Sequence, residues 1–157
     1  MVEEERRRAA SGCFGCGDLN PRGLKLAFHL EDGVAVAEFD PDPDYCGYPG
    51  LMHGGLVATI LDEAMGWASR GQGVWTMTAR MQVRFRRPVP LTRRLRVSAR
   101  VTKQRRRLVE ARAELRDDGG TLLAEGEGAF LRITPEQGRE LEEAYRAAAE
   151  APRSTPS

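Results

Sequence analysis

The feature that most constrains this fold is a strongly apolar helix, predicted from Gly54 to Ser69. Its hydrophobic side chains occur on nearly every side rather than on one stripe, and such a helix must be enclosed by other elements. Two carboxylates, Asp62 and Glu63, interrupt the apolar run, and His53 followed by two glycines stands where the helix begins. A chain of 157 residues is long enough for one domain with a core of that kind.

Segments on both sides of the helix alternate between apolar and polar residues, which predicts β-strands. Two short strand candidates, 24–30 and 34–39, flank the hairpin sequence Glu31-Asp32-Gly33. After the helix, the alternation predicts antiparallel strands covered on one face. These strands contain residues 81–86, 95–101, 109–115 and 124–130, with turns at 103–107 and 117–120. We therefore predict an α+β fold in which a curved antiparallel sheet wraps one long central helix.

The ends of the chain are more polar than its centre. Residues 1–12 are charged or small and are predicted to form a mobile arm or a short helix. The main domain is predicted over 13–133. Thr134-Pro135-Glu136-Gln137 has the sequence of a helix start with a capping box, so a short helix and a polar tail are predicted over 134–157.

Composition excludes several classes of partner. The 24 basic and 23 acidic residues give a net charge of +1, which provides no electrostatic basis for binding nucleic acid or an anionic membrane. No apolar run approaches the roughly 20 residues of a membrane span, and the first residues lack a signal-peptide core. Three cysteines, an odd number, do not form a disulfide framework. A cytoplasmic protein without nucleic-acid or membrane partners is predicted.

The start of the helix and its carboxylate suit attack on a carbonyl group. The first N–H groups of a helix lack intrahelical acceptors and lie at the positive end of its dipole, so they can polarise a substrate carbonyl. Gly54 and Gly55 allow a substrate to approach that backbone closely. A carboxylate such as Asp62 can activate water or attack directly. Asp62 follows His53 by about two and a half helical turns, so one chain is not expected to present both to one substrate.

Four segments together carry a family resemblance: CFGCGDLNPRGL, YPGLMHGGLVATILDEAMGWA, TMTARMQVRFRRPVPL and LLAEGEGAFL. Over residues 13–133 the chain resembles the hotdog-fold acyl-CoA thioesterases of the phenylacetate-pathway type. The resemblance implies hydrolysis of aryl or medium-chain acyl-CoA to the free acid and CoA, with no metal or organic cofactor. It also implies a dimer joined edge to edge, with two sites shared between chains, and a tetramer as a common larger assembly.

The same resemblance assigns roles to individual residues. Asp62 matches the catalytic carboxylate of the family. Gly54, with Gly55, matches the amides that polarise the carbonyl, and His53 matches a histidine that holds the loop and the helix start. Thr78, ten residues before the proline of Arg-Pro-Val, matches a Ser or Thr that helps to place the attacking water.

One part of the chain departs from the family pattern. Many relatives have Asn or Gln six or seven residues before the histidine, where this chain has Cys46 and Gly47. Cys46 and Gly47 are therefore candidates for the substrate-binding loop, but a thiol is a poor substitute for an amide donor.

Arginines near the end of one predicted strand are candidates for binding the phosphates of CoA. Arginine pairs with phosphate in a bidentate manner, which directs attention to Arg84, Arg86 and Arg87. The alternative is that these side chains cover a solvated face of the sheet.

Several residues have two interpretations. Asp62 is either the catalyst or a buried structural carboxylate, and His53 is either a structural residue or a general base. Glu63 is either a second functional carboxylate in the binding site or a residue facing solvent at an interface edge. Cys13 and Cys16 form a C-x-x-C sequence, which suits a metal or redox pair, although tetrahedral zinc needs about four protein ligands and only Cys46 and two histidines remain to complete the set. The alternative for the two cysteines is a loop that packs over the fold.

Two other functions compete with thioester hydrolysis. A dehydratase or hydratase of the same fold would use Glu63, but such enzymes need a histidine in the loop before the helix, and residues 40–52 contain none. A non-catalytic acyl-CoA binding protein is the third hypothesis, and the departure at Cys46 and Gly47 keeps it open.

Overall fold

The computed structural model describes residues 11–152 and separates into two compact units. One unit is residues 28–132, and the other combines the described parts on either side, 11–27 and 133–152. Residues 1–10 of the predicted arm and residues 153–157 of the predicted tail lie outside the described residues.

Residues 28–132 form a six-stranded antiparallel sheet and one long helix. The elements are β1 (His29–Glu31), β2 (Val34–Phe39), a 3-10 turn (Pro43–Tyr45), α1 (Gly54–Gly71), β3 (Thr76–Phe85), β4 (Leu95–Gln104), β5 (Leu108–Asp117) and β6 (Leu122–Arg132). The strands follow the order β1-β2-β4-β5-β6-β3, so β1 and β3 are the edges. Helix α1 packs against β2 to β6. The predicted α+β fold, a curved sheet around a central helix, is confirmed.

Alternation along the strands produces the core, as predicted. Val97, Ala99, Val109 and Ala111 are buried on β4 and β5, while the residues between them lie on the opposite face of the sheet. Helix α1 contributes further buried side chains, each of which stabilises the fold by about 1.5–3 kcal/mol when large and apolar. The largest of these are Val57, Ile60, Leu61, Met65 and Trp67.

Glycines on β6 lie directly against side chains of the helix and the sheet. A Cβ added to Gly128 would lie 2.5 Å from the Phe130 ring and 3.3 Å from the Met65 side chain. The glycines that alternate along β6 therefore leave room for the helix against the middle of the sheet.

The hairpin prediction at Glu31-Asp32-Gly33 is confirmed. Asp32 and Gly33 both have positive φ, 49° and 81°, as a two-residue turn between right-twisted strands requires. The strand predicted over 24–30 is wrong for its first part, because β1 begins only at His29. Leu24 and Leu26 instead donate backbone hydrogen bonds to Phe14 and Gly15, within the loop that contains the two cysteines.

The other unit contains that loop and helix α2 (Pro135–Glu150). The capping box is confirmed: the Thr134 hydroxyl accepts from the Gln137 backbone, and the Gln137 side chain accepts from the Thr134 backbone. Cys13 is half-buried and Cys16 is buried, and the loop closes through a bond from Gly17 N–H to the Cys13 carbonyl.

Candidate active site

The loop before α1 is fixed by backbone hydrogen bonds on both sides. Met52 donates to the Val89 carbonyl and His53 donates to the Tyr45 carbonyl. Gly47 also lies against His53, because a Cβ at residue 47 would be 3.0 Å from the His53 Cα. The start of the helix is therefore held at a defined position relative to the end of β3.

His53 caps the helix with its side chain. Its backbone is extended, with φ −60° and ψ 133°, and its Nδ1 accepts a 2.9 Å hydrogen bond from the Gly55 N–H. An Nδ1 that accepts has no proton, so this bond assigns the proton of the neutral ring to Nε2. The side chain of the predicted histidine therefore caps the helix start by accepting the Gly55 N–H.

The cap leaves one exposed amide at the helix start. Gly55 donates to His53, and the His53 carbonyl accepts from Leu56 and Val57. Within residues 11–152, no acceptor is bonded to the Gly54 N–H, and Gly54 is exposed. Of the two predicted donors, Gly54 is the one able to bond a substrate carbonyl.

Asp62 and Thr78 form a pair between α1 and β3. The Thr78 hydroxyl donates a 2.7 Å hydrogen bond to Asp62 Oδ1. Burial raises the pKa of Asp62 above its usual 3.8, the bond from Thr78 partly offsets that rise, and the charge of Glu63 adds to it. The structure thus places two of the predicted site residues in direct contact.

A β-bulge decides which way Thr78 points. Thr78 pairs with Phe130 on β6, while Arg80 pairs with Ala129, so two steps along β3 match one step along β6. Phe130 is buried on the helix side, and Met81, Val83 and Phe85 share that side with it. Without the extra residue, Thr78 would be on the opposite face from Met81 and could not reach Asp62.

The helix start and Asp62 of one chain are too far apart for one substrate. Gly54 and Asp62 are separated by eight residues of α1, or about 12 Å along its axis. When a thioester oxygen is bonded to the Gly54 N–H, the carbonyl carbon is only one bond away from that oxygen. Asp62 of the same chain is then too far from this carbon to act on it. The two halves of the predicted site therefore do not meet within a single chain.

We expect the raised pKa of Asp62 to appear in the pH dependence of hydrolysis. Activity that needs the ionised carboxylate should fall with decreasing pH through a value above 3.8. Thr78→Val removes the hydrogen bond that favours the charged form, so it should move the acid limb of kcat/KM to still higher pH. Thr78→Ser retains the hydroxyl and should keep the wild-type limb. Identical acid limbs in all three proteins would contradict this assignment.

The predicted binding-loop residues lie near the helix start. Cys46 is exposed, and its thiol donates to the Tyr48 carbonyl at 3.2 Å rather than standing as an amide-like donor. Glu63 is half-buried, so both interpretations of this side chain, a second functional carboxylate and a residue facing solvent at an interface edge, stay predictions.

The three arginines predicted to bind phosphate are all exposed. Arg86 already forms a 2.8 Å ion pair with Glu125, and Arg84 is paired with Glu125 across the strands. Arg87 donates its backbone N–H to the Leu123 carbonyl. Two of the three therefore already have a carboxylate beside them.

Phe85 lies beside the helix start, although the sequence analysis did not predict it as part of the site. Its side chain is 57% exposed although it faces the helix side of β3, and its ring would lie 3.6 Å from a Cβ at Gly54. The alternation with Met81 and Val83 indicated an inward position, but its place beside the helix start depends on how β3 runs past α1.

The sheet order, the enclosed helix and the capped helix start define a hotdog domain. Residues 49–124 match the family model described as Thioesterase superfamily. These residues therefore form a Thioesterase superfamily domain, as the motifs of the chain predicted. Among residues 11–152, no helix has both the length and the apolar character needed to cross a bilayer.

Similar proteins agree with that assignment. The acyl-coenzyme A thioesterase THEM4 of Bos taurus is 32% identical over 140 residues, which cover 87% of this chain and 57% of the relative. A solved structure described as protein RHA08564, a thioesterase superfamily protein, is 27% identical with a TM-score of 0.73, covering 76% of this chain and 60% of that one. The phenylacetic acid degradation protein PaaI of Thermus thermophilus is 27% identical with a TM-score of 0.63, covering 69% and 93%. The chain thus spans little more than half of the THEM4 relative.

Proposed function

We propose that this protein hydrolyses acyl-CoA thioesters to the free acid and CoA. The observation that carries the proposal is the half-buried Asp62 carboxylate, bonded to Thr78, on a helix whose start displays the exposed Gly54 N–H. Similarity to a relative named acyl-coenzyme A thioesterase supports CoA thioesters as the substrate class. Aryl and medium-chain acyl groups are the proposed range.

The chemistry needs one donor and one carboxylate. The Gly54 N–H binds the thioester oxygen and stabilises the negative charge that develops there. Asp62 takes a proton from water while the water oxygen bonds to the carbonyl carbon, or Asp62 attacks that carbon itself and water later cleaves the anhydride. The C–S bond breaks in either case, and the thiolate of CoA leaves and takes up a proton. No metal or organic cofactor enters these steps.

Two chains are proposed to complete each site. Strand β3 is an edge of the sheet, and an edge presents unpaired backbone groups that suit pairing with a second copy. Two exposed apolar side chains on β3, Met77 and Phe85, would gain cover there. Because Gly54 and Asp62 of one chain lie about 12 Å apart along α1, each substrate is proposed to use Gly54 of one protomer and Asp62 of the other.

Mixed dimers provide a direct test of shared sites. We expect coexpressed Asp62→Asn and Gly54→Pro chains, carrying different tags, to regain activity although each homodimer is inactive. Random pairing makes half of the dimers mixed, and each mixed dimer has one intact site, so about a quarter of wild-type activity should return. No recovery in purified mixed dimers would show that each chain works alone. Light scattering of the wild type would measure whether such dimers pair further into the predicted tetramer.

A thioester panel tests the reaction itself. Thiol release from aryl and medium-chain acyl-CoA, followed with a thiol reagent, is the expected result. Binding of these thioesters by calorimetry without thiol release would favour the non-catalytic alternative, and hydration of an enoyl thioester without thiol release would favour the hydratase. A cytoplasmic location remains a prediction from the sequence.

A further inference from the structure

A cluster of cations lies at the turn between β4 and β5 and at the adjacent end of β6. Four of its side chains are exposed and the fifth, on β6, is half-buried. None of them forms an ion pair with a carboxylate within residues 11–152, although Lys103 lies opposite Glu110 across β4 and β5. The members of this basic turn are Lys103, Arg105, Arg106, Arg107 and Arg132.

The turn is held in place by Arg132. The Arg132 guanidinium donates to the Gln104 side chain at 2.7 Å and to the Arg105 carbonyl at 3.1 Å, and its backbone N–H donates to the Arg107 carbonyl. Arg105 N–H also bonds to the Leu108 carbonyl at 2.7 Å. The turn backbone is therefore already ordered, which lowers the entropy lost when its side chains bind a ligand.

Several other arginines on or next to the strands form ion pairs with carboxylates. Arg96 contacts Glu31 and Glu38, Arg112 contacts Glu127, and Arg116 contacts Glu114, as Arg86 contacts Glu125. In a chain whose net charge is only +1, the basic turn is thus a local excess of positive charge. Guanidinium groups with no carboxylate partner are suited to bind phosphate oxygens.

The basic turn lies at the same end of the sheet as the catalytic pair. Thr78 pairs with Phe130, Phe130 with Val109, and Val109 with Gln104, so one cross-strand row runs from the site to the turn. Three strand spacings of about 4.8 Å place β4 roughly 14 Å from β3, with Arg132 nearer. CoA carries its phosphates at the far end of a long pantetheine arm, so its phosphates bind well away from the thioester.

We infer that the basic turn binds the nucleotide phosphates of CoA on the same protomer that supplies Asp62. This inference rests on the proposed function for its ligand. It assigns the phosphates to residues 103–107 and 132, rather than to the arginines at the end of β3.

Binding of CoA itself tests the inference without any reaction. The probes are CoA, 3′-dephospho-CoA and pantetheine, titrated calorimetrically into the wild type and the double variant Arg105→Gln/Arg106→Gln. Each lost charge-assisted bond weakens binding severalfold, so we expect the variant to bind CoA about tenfold more weakly and 3′-dephospho-CoA with a smaller loss. Pantetheine, which has no phosphate, should bind both proteins equally.

Matched controls locate the effect. Arg139→Gln/Arg146→Gln removes the same charge from the exposed surface of α2 and should leave CoA affinity unchanged. Arg84→Gln/Arg87→Gln tests the alternative phosphate site on β3. Unchanged CoA binding in the turn variant, or an equal loss for CoA and pantetheine, would overturn the inference. A phosphate-dependent loss in a protein that hydrolyses no thioester would instead refute only the proposed function.

Discussion

Asp62→Asn should reduce kcat/KM for acyl-CoA by about a thousandfold or more while the protein remains folded. An amide can neither accept the proton of the attacking water nor act as the nucleophile, and a positioned general base contributes about 10²–10⁴ in rate. The side-chain oxygen of the introduced asparagine can still accept the Thr78 hydrogen bond that Asp62 Oδ1 accepts at 2.7 Å. Steady-state thiol release across a range of substrate concentrations, with circular dichroism on the same sample, measures both halves of this expectation.

Stability should respond in the opposite direction from activity. Because the pKa of Asp62 is raised in the folded protein, its ionised form destabilises the fold at neutral pH. This destabilisation develops as pH rises from about 3.8 to the raised value, and it is fully present above that value. Asp62→Asn should therefore have a Tm equal to or above that of the wild type at pH 7, and the difference should shrink with decreasing pH.

Glu63→Gln is the matched control for this substitution. It removes a carboxylate from the adjacent position of the same helix and leaves the bond between Asp62 and Thr78 in place. We expect activity within a few-fold of the wild type. Near-normal hydrolysis by a folded Asp62→Asn protein would reject Asp62 as the catalyst, whereas loss of activity only in Glu63→Gln would favour the hydratase-like use of Glu63.

Gly54→Pro should cost about 10²–10³ in kcat, because proline removes the one helix-start N–H that is available to the thioester oxygen. Proline is well suited to the first position of a helix, where its fixed φ agrees with the helix and its N–H has no intrahelical acceptor. The preceding residue, His53, already has the extended backbone that a following proline requires. The substitution therefore removes a hydrogen-bond donor with little disturbance of α1.

Gly54→Ala separates the lost donor from the added bulk. Alanine retains the N–H and adds a Cβ at 3.6 Å from the Phe85 ring, which is an ordinary van der Waals distance. We expect this variant to retain activity within a few-fold and the proline variant to lose it, with equal Tm values. Equal losses in both would attribute the effect to crowding beside Phe85, and full activity of Gly54→Pro would exclude the Gly54 amide as the oxyanion donor.

Most of the fold was predictable from local sequence because its signals are strong. An apolar helix and alternating strands specify their own elements, since burial fixes which side chains point inward. The Asp-Gly turn and the capping box at Thr134 depend on short-range interactions, so they were also predicted correctly. The strand prediction at Leu24 and Leu26 was wrong because alternation cannot distinguish a strand in the sheet from a segment that forms hydrogen bonds with a neighbouring loop.

By itself the sequence determined the central helix, the wrapped sheet and the two types of group, amide donor and carboxylate, that a thioester hydrolase needs. Only the tertiary structure decided how those groups are arranged. The bulge that turns Thr78 toward Asp62 depends on pairing with β6, and the capture of the Gly55 amide by His53 leaves Gly54 as the available donor. The exposed cations at the basic turn could be counted in the sequence, but which of the described cations form ion pairs with carboxylates depends on the tertiary structure. The bulge and the partners of the cations depend on contacts between residues far apart in the chain, and the bond between His53 and Gly55 depends on the geometry of one turn. The pattern of apolar and polar residues specifies neither kind of contact.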